Sequence, residues 1–581
     1  MIKINLPEQL TVDWLREQYL AYSLSPDEVA QEIIKRAETD AEMNIWITPP
    51  SIELMKPFIE RLETIDRESA SLWGIPFAIK DNIDLAGVPT TAGCSEYTYT
   101  PVEHAAVVER LIAAGAIPVG KANLDQFATG LVGTRSPYGE THNSLRPELI
   151  SGGSSAGSAV AVARGQAVFS LGTDTAGSGR VPAGLNNLVG YKPTLGAWSM
   201  KGVVPACASL DCVTVFSQSV EEAMLVDRFA RGVEESDPWS KDVATPQQSL
   251  PSKIIVPSNP IDFFGSYAKE YSEAWDVALD QLKKTNLPIE YVDTTFLKEA
   301  SAILYEGPMV AERWAAVGSF VEGNPSVTFP VTEQVLRSGL NETFNAPFVF
   351  QAIHQLQAFK LKARKVFADA VLVMPTAGGT WTREQVRAQP IQTNSDMGRY
   401  TNHCNLLDLC AIAIPAGKAA EKLPFGITLF GLAENEGLIC SMAKQFLNTT
   451  KKNEATTLVA VCGLHMRGFP LEKQMKECRA TFVCEALSAP KYQMVKLTST
   501  PEKPGMIKDE RKGGAIELEL WEMPLSEFGA FAASIPSPLG IGKVELENGE
   551  EVPGFVCEAY VAETAEDITA TGGWRNLFVK N

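Results

Sequence analysis

The sequence predicts an α/β protein with a central sheet covered by helices, followed by a second, smaller β-rich domain. Three observations predict it. Apolar, strand-like runs alternate with helical periodicity through residues 1–450; Gly, Ser and Ala dominate residues 151–190; and beyond a polar stretch the pattern turns to short strands and turns. At 581 residues the chain exceeds one ordinary core, since domains usually hold about 100–200 residues.

The elements follow in chain order. SPDEVAQEIIKRAETD and SIELMKPFIERLETID space their apolar residues as helices do, with Ser25 before Pro26, and Ser51, as N-caps. WGIPFAIKDNID reads as a buried strand from Ile75 to Ile79 that ends in the polar cluster Lys80, Asp81 and Asn82. VVERLIAAGAIPVGKANLD then gives a helix, a glycine turn and a strand. Residues 151–190 are glycine-rich but interrupted by AVAVA and AVFSL, which marks close backbone approach and not a flexible linker. The region 300–450 supplies helices (ILYEGPMVAERWAAV, FQAIHQLQAFKLKARKVFADA) and the apolar strands VLVMP and CAIAIPAG. FLNTTKKNEATT, at 446–457, breaks the periodicity and is expected to be the linker between domains 1–450 and 458–581. VAVCGLHMRGFPL, GGAIELELWEMP and GKVELENGEEVPGFVCEAYV then read as strands of the β-rich domain.

Composition removes several function classes. The formal net charge of −19 lacks the basic surface that nucleic acid requires. No segment offers the roughly 18 apolar residues of a spanning helix, and MIKINLPEQLTVDWL has no signal-like apolar core. The expectation is a cytoplasmic protein with no membrane and no nucleic-acid partner. Ten cysteines contain no C-x-x-C pair, and His104, His142, His354, His403 and His465 form no ligand array with them, so no metal is expected and the thiols are read as reduced.

Two short motifs are decoys. GAIPVGKA has Walker-like spacing, but Ala122 replaces the magnesium-binding hydroxyl and the motif ends a strand. SAPK satisfies S-x-x-K, but Pro490 breaks the turn that would bring Ser488 and Lys491 together. The serious candidates are Lys80, Ser154, Ser155 and Ser178. Ser178 sits in LGTDTAGSGRVPAG among small neighbours that leave its hydroxyl open, yet no histidine stands in the usual spacing to take its proton.

The ordered set PFAIKDNID, GGSSAGSAVAVA and GTDTAGSGRVPAGLNNLVGYKPT resembles the amidase signature family across roughly the first 450 residues. The resemblance implies a mixed sheet covered by helices and a Ser–cis-Ser–Lys triad, carried here by Ser178, Ser154 and Lys80. It answers the question of the base. A buried lysine can lose enough proton affinity to be neutral, so Lys80 would take the Ser178 proton through the Ser154 hydroxyl. The Gly153–Ser154 peptide is expected to be cis. The backbone amides of Thr175, Ala176, Gly177 and Ser178 would form the oxyanion hole, each donor often worth about 3–4 kcal/mol. Asp174 and Arg180 are expected to pair and fix this loop.

PTTAGC, FATGLVGTRSPYG, GVVPACASLDCVTVF and LYEGPMVAERWAA are similar to the allophanate hydrolases within that family. This implies allophanate as substrate, no cofactor, a functional link to urea carboxylase in urea degradation, and a homodimer. It also implies that Tyr305 and Arg313 hold the substrate carboxylate, on one face of a single helix if that helix survives Pro308, and that the Gly130 backbone lies near the substrate. VCGLHMRGFPL, SPLGIGKVELENGEEVPGFVCEAY and EDITATGGWR resemble the C-terminal domain of these enzymes, similar in fold to γ-glutamylcyclotransferase-like barrels. Its implied role is the breakdown of N-carboxycarbamate, with His465 as the catalytic candidate and Glu517 as a weaker one. Two readings stay open: a related hydrolase of malonamate, biuret-type or aliphatic amides, and a non-catalytic scaffold subunit with the same fold.

Overall fold

The computed structural model describes residues 6–305, 307–452 and 455–578. The chain forms two compact units, Met1–Thr449 and Thr450–Asn581.

The first unit is built on an eleven-stranded sheet. In chain order its strands are β1 (Trp46–Thr48), β2 (Pro76–Lys80), β3 (Ile117–Ala122), β4 (Phe169–Asp174), β5 (Val189–Lys192), β6 (Cys212–Ser217), β7 (Lys253–Pro257), β8 (Ile289–Val292), β9 (Ala370–Pro375), β10 (Leu409–Ala420) and β11 (Leu423–Leu432). Their spatial order is β1-β3-β2-β4-β6-β5-β10-β11-β9-β7-β8. The sheet is mixed: β2 runs parallel to β3 and β4, β4 antiparallel to β6, and β10 antiparallel to β11. Every residue of β2, β3, β4, β5 and β6 is buried, which is why these strands read as continuous apolar runs.

The helices start where their caps predict. Ser25 and Glu28 form a capping box with Pro26 in the first turn, and Ser51 accepts a hydrogen bond from the Leu54 amide at 3.2 Å. Two further segments take forms that the apolar periodicity alone left open. The helix over 300–323 does not survive Pro308: one helix ends at Tyr305 and another begins at Val310, as the loss of an amide donor and the ring's bulk require. The region 446–457 is not an irregular linker at its start. Helix Glu436–Lys452 carries on through it because Phe446 still packs into the core, while residues 453–454 lie outside the described residues. The Walker-like Lys121 is buried and paired with Asp81 at 3.2 Å, an interior ion pair on β3.

Parallel neighbours β2 and β4 end on the same edge, with Ile79 opposite Leu171. Loops that follow the carboxyl ends of adjacent parallel strands converge there, so Lys80 and the loop after Asp174 meet although they are far apart in sequence. The second unit holds a five-stranded sheet, which includes the strands Thr456–Val461 and Glu517–Pro524, and a three-stranded one. Its own core includes Tyr492, Met494, Trp521 and Trp574. Among the described residues no helix is long and apolar enough to cross a membrane.

Candidate active site

Lys80 ends β2 with no solvent exposure, and its Nζ lies 2.8 Å from Ser154 Oγ and 2.7 Å from Thr173 Oγ1. Burial pulls its pKa down to about 7, against the opposing pull of the Asp125, Asp211 and Asp174 carboxylates. A lysine in this state is half neutral near neutral pH and able to act as a base. The Gly153–Ser154 peptide is cis. Gly153 must be glycine, because the space a Cβ would need is filled by the Asp125 carboxylate and the Gly133 amide. Asp125 in turn accepts the amides of Val132, Gly133 and Arg135 at 2.8–3.2 Å, joining the loop after residue 130 to the Ser154 segment. Among the described residues Lys80 is the sole hydrogen-bond partner of the Ser154 hydroxyl, and Ser178 Oγ is bonded to neither.

Ser178 lies in the tight loop between β4 and helix Val181–Leu185 and is 3% exposed. The Asp174–Arg180 pair forms as expected, buried and bidentate with both contacts at 2.9 Å. The same carboxylate also accepts the amides of Gly177 and Gly179 at 2.8 and 3.0 Å. This corrects the expected oxyanion donors: the Gly177 amide is already committed to Asp174. The amides of Thr175, Ala176 and Ser178 donate to no backbone acceptor among the described residues, which leaves them for a ligand. Gly177 sits at φ 138, where only glycine is at ease, and a Cβ there would strike Thr401.

Tyr305 and Arg313 meet despite the break between their helices. Arg313 donates to the Tyr305 hydroxyl at 3.1 Å and to Thr129 Oγ1 at 3.1 Å, and its guanidinium carbon lies 5.3 Å from the Tyr305 ring centroid. It is 2% exposed, and its Nε has no protein partner. A buried guanidinium with an unpaired N–H invites a carboxylate. Thr129 places this group beside Gly130, where a Cβ would come within 2.6 Å of Asp125 Oδ2.

Sequence reasoning missed Thr173, Thr129 and Asp211. Asp211 accepts the Thr175 hydroxyl at 2.5 Å and the amides of Ala206 and Cys207 at 2.7 and 3.0 Å, and burial pushes its pKa up to about 6. It thus ties the serine loop, through Thr175, to the segment that carries Ala206 and Cys207. A threonine on a strand gives no functional signal of its own, so nothing in the sequence separated Thr173 from its neighbours.

In the second unit His465 lines a cavity of about 230 Å³ together with Gln474, Lys503, Ser534 and Phe555. Its Nε2 lies 2.8 Å from Gln474 Oε1, and its ring stacks on Phe555 at 4.7 Å. Burial lowers its pKa, and the Lys503 ammonium adds to the effect. Glu517, the weaker candidate, is absent from that lining. The buried carboxylate of this strand is Glu519, which binds Arg467 at 3.1 Å and Arg575 at 2.9 Å and so anchors the loop that carries His465. Among the described residues no group of His, Cys, Asp and Glu could hold a metal ion.

Comparison with known proteins adds an independent line. The Amidase family model matches residues 28–440, and the Allophanate hydrolase C-terminal domain model matches residues 457–579. Urea amidolyase of Saccharomyces cerevisiae is 37% identical over 618 residues, spanning 98% of this chain and 33% of its own length. Urea amidolyase of Lachancea kluyveri is 38% identical over 88% of this chain and 30% of its own. The chain thus spans about a third of the length of these curated relatives. The structure of Kluyveromyces lactis allophanate hydrolase is 36% identical, covers 98% of each chain and superposes with a TM-score of 0.71.

Proposed function

Because the chain belongs to the Amidase family, we propose that it hydrolyses allophanate in two stages, with the amide chemistry in the first unit and the breakdown of its product assigned to the second. The observation that carries the substrate assignment is Arg313, buried beside Tyr305 with its Nε unpaired. A site built to receive a carboxylate close to an amide-cleaving serine favours a small carboxylated urea over a plain aliphatic amide.

In the first stage Arg313 and Tyr305 hold the carboxylate near Gly130 while Ser178 Oγ attacks the terminal carbamoyl carbon. Its proton passes through Ser154 to neutral Lys80, and the 2.8 Å separation suits transfer in either direction. The amides of Thr175, Ala176 and Ser178 receive the developing oxyanion. Collapse of the tetrahedral adduct breaks the C–N bond, and ammonia leaves with the proton returned along the same path. Water then adds to the acyl-enzyme and frees N-carboxycarbamate and the serine. The balance is allophanate plus water to N-carboxycarbamate plus ammonium.

The second unit would take this dianion at the His465 cavity, where the C–N bond breaks with loss of carbon dioxide and the nitrogen takes up a proton from solvent, leaving carbamate; carbamate takes up a second proton and breaks down to carbon dioxide and the second ammonia. We further place the enzyme in the cytoplasm, as a homodimer, downstream of a urea carboxylase. The urea amidolyase relatives, longer than this chain, support the last point. The deciding experiment is the stoichiometry of ammonia formed per allophanate, set beside turnover of propionamide. Two equivalents and a strong preference for allophanate support the reading; equal turnover of propionamide would assign a general amidase instead.

A further inference from the structure

The His465 cavity contains a hydrogen-bond chain whose polarity is fixed at one end. Ser534 Oγ lies 2.7 Å from the carbonyl oxygen of Phe531. A carbonyl has no hydrogen to give, so the Ser534 hydroxyl donates there. Its one proton committed, Ser534 Oγ can only accept at its 3.0 Å contact with Gln474, and the atom facing it is therefore the Gln474 amide nitrogen. The opposite choice would set two acceptors against each other. The Gln474 amide oxygen then faces His465 Nε2 at 2.8 Å, and as a pure acceptor it requires a hydrogen on that nitrogen.

We propose that Gln474 and Ser534 are positioning residues that hold neutral His465 in its Nε2–H tautomer and leave Nδ1 as the ring's proton acceptor. The inference rests on the reading of His465 as the residue that acts in the second unit. The ring is held as well as polarised. Phe555 stacks on it at 4.7 Å and 28°, and Phe531, the residue whose carbonyl starts the chain, meets it edge-on at 5.6 Å and 85°. Helix Leu525–Ala533 and its cap Ser534 thus supply both the carbonyl that sets the polarity and the ring that restrains rotation. Burial keeps the resting imidazole neutral against the pull of the Gln474 hydrogen bond, and Lys503, in the same cavity lining, adds to it a positive charge that suits an anionic occupant.

The test uses the full chain with histidine nitrogens labelled with nitrogen-15. Two-bond proton–nitrogen correlations distinguish the tautomers, and with five histidines the His465 pattern is identified by its loss in His465→Gln. The wild type should show the Nε2–H pattern near neutral pH. Gln474→Leu should redistribute the ring between tautomers and slow release of the second ammonia by about tenfold or more, with the first unaffected. Gln474→Glu keeps an acceptor at Nε2, with the Ser534 hydroxyl turned from the Phe531 carbonyl to donate to the second carboxylate oxygen, and should retain both the pattern and most of the rate. Should Gln474→Leu fail to fold, Ser534→Ala frees the amide to flip and should give a mixed pattern. An Nδ1–H pattern in the wild type, or an unchanged pattern in Gln474→Leu, overturns the positioning role. A lost pattern with an unchanged second-ammonia rate overturns instead the part assigned to His465.

Discussion

Lys80 Nζ lies 2.8 Å from Ser154 Oγ across a gap of 74 residues in sequence, inside a pocket that admits no solvent to the lysine. Burial that brings its pKa to about 7 also fixes the pH behaviour. Only the neutral amine can accept a proton, and it predominates above that value. First-ammonia kcat/KM should therefore rise with pH through about 7 and level off above it. Lys80→Arg, which stays charged, should lose about 10²–10⁴-fold. A profile flat from pH about 5.5 to 8.5 would remove Lys80 as the base.

Ser178→Ala should abolish ammonia release while leaving the thermal midpoint unchanged, because a hydroxyl that bonds to neither Ser154 nor Lys80 adds little to the fold. Ammonia released at the wild-type rate would refute Ser178 as nucleophile and reopen the scaffold reading.

Thr173→Val removes the second hydroxyl beside Lys80, 2.7 Å away, with little change of volume. Loss of one such hydrogen bond, about 1 kcal/mol, should lower kcat by roughly fivefold and displace the pH midpoint of the rate. An unmoved midpoint would confine Thr173 to packing.

Arg313→Lys keeps the charge but loses the planar pair of donors. For allophanate, kcat/KM should fall about 10–100-fold, matching one charged hydrogen bond of about 1.5–3 kcal/mol, while propionamide turnover stays level. An equal fall for both substrates would place Arg313 in the fold and not in recognition.

Asp174→Asn leaves Arg180 buried without its charge partner. Breaking a buried pair from one side costs about 3–5 kcal/mol, so the denaturant midpoint of the first unit should drop sharply. A midpoint unchanged within error would mean that the neutral amide holds the loop as well as the carboxylate does.

What the sequence disclosed was chemistry that local rules govern. Ser25 and Ser51 cap helices because they precede periodic apolar residues, and Lys80 stood out because a cation seldom ends an apolar strand. The Asp174–Arg180 pair was legible because both ends of one short loop carry opposite charge. What stayed hidden depends on backbone direction or distant contact. The commitment of the Gly177 amide to Asp174 is a matter of where one N–H points, which no residue type announces. The break at Pro308 was foreseen as a condition, but the meeting of Tyr305 with Arg313 across it depends on tertiary packing. Glu517 and Glu519 share a strand face by alternation, and what separates them comes from elsewhere in the chain: Arg467 and Arg575 both bind Glu519.

The four-way grip of Asp174 on Gly177, Gly179 and the Nε and Nη2 of Arg180 has a dynamic corollary. A loop tied at this many points cannot relax around a substrate as it arrives. In the reaction proposed above its remaining amide dipoles would act as a frozen solvent, already oriented before any charge develops. Where bulk water would have to turn its molecules during each reaction, this loop has completed that rotation at folding, and substitutions that loosen it should slow turnover even where no contact with the substrate is lost.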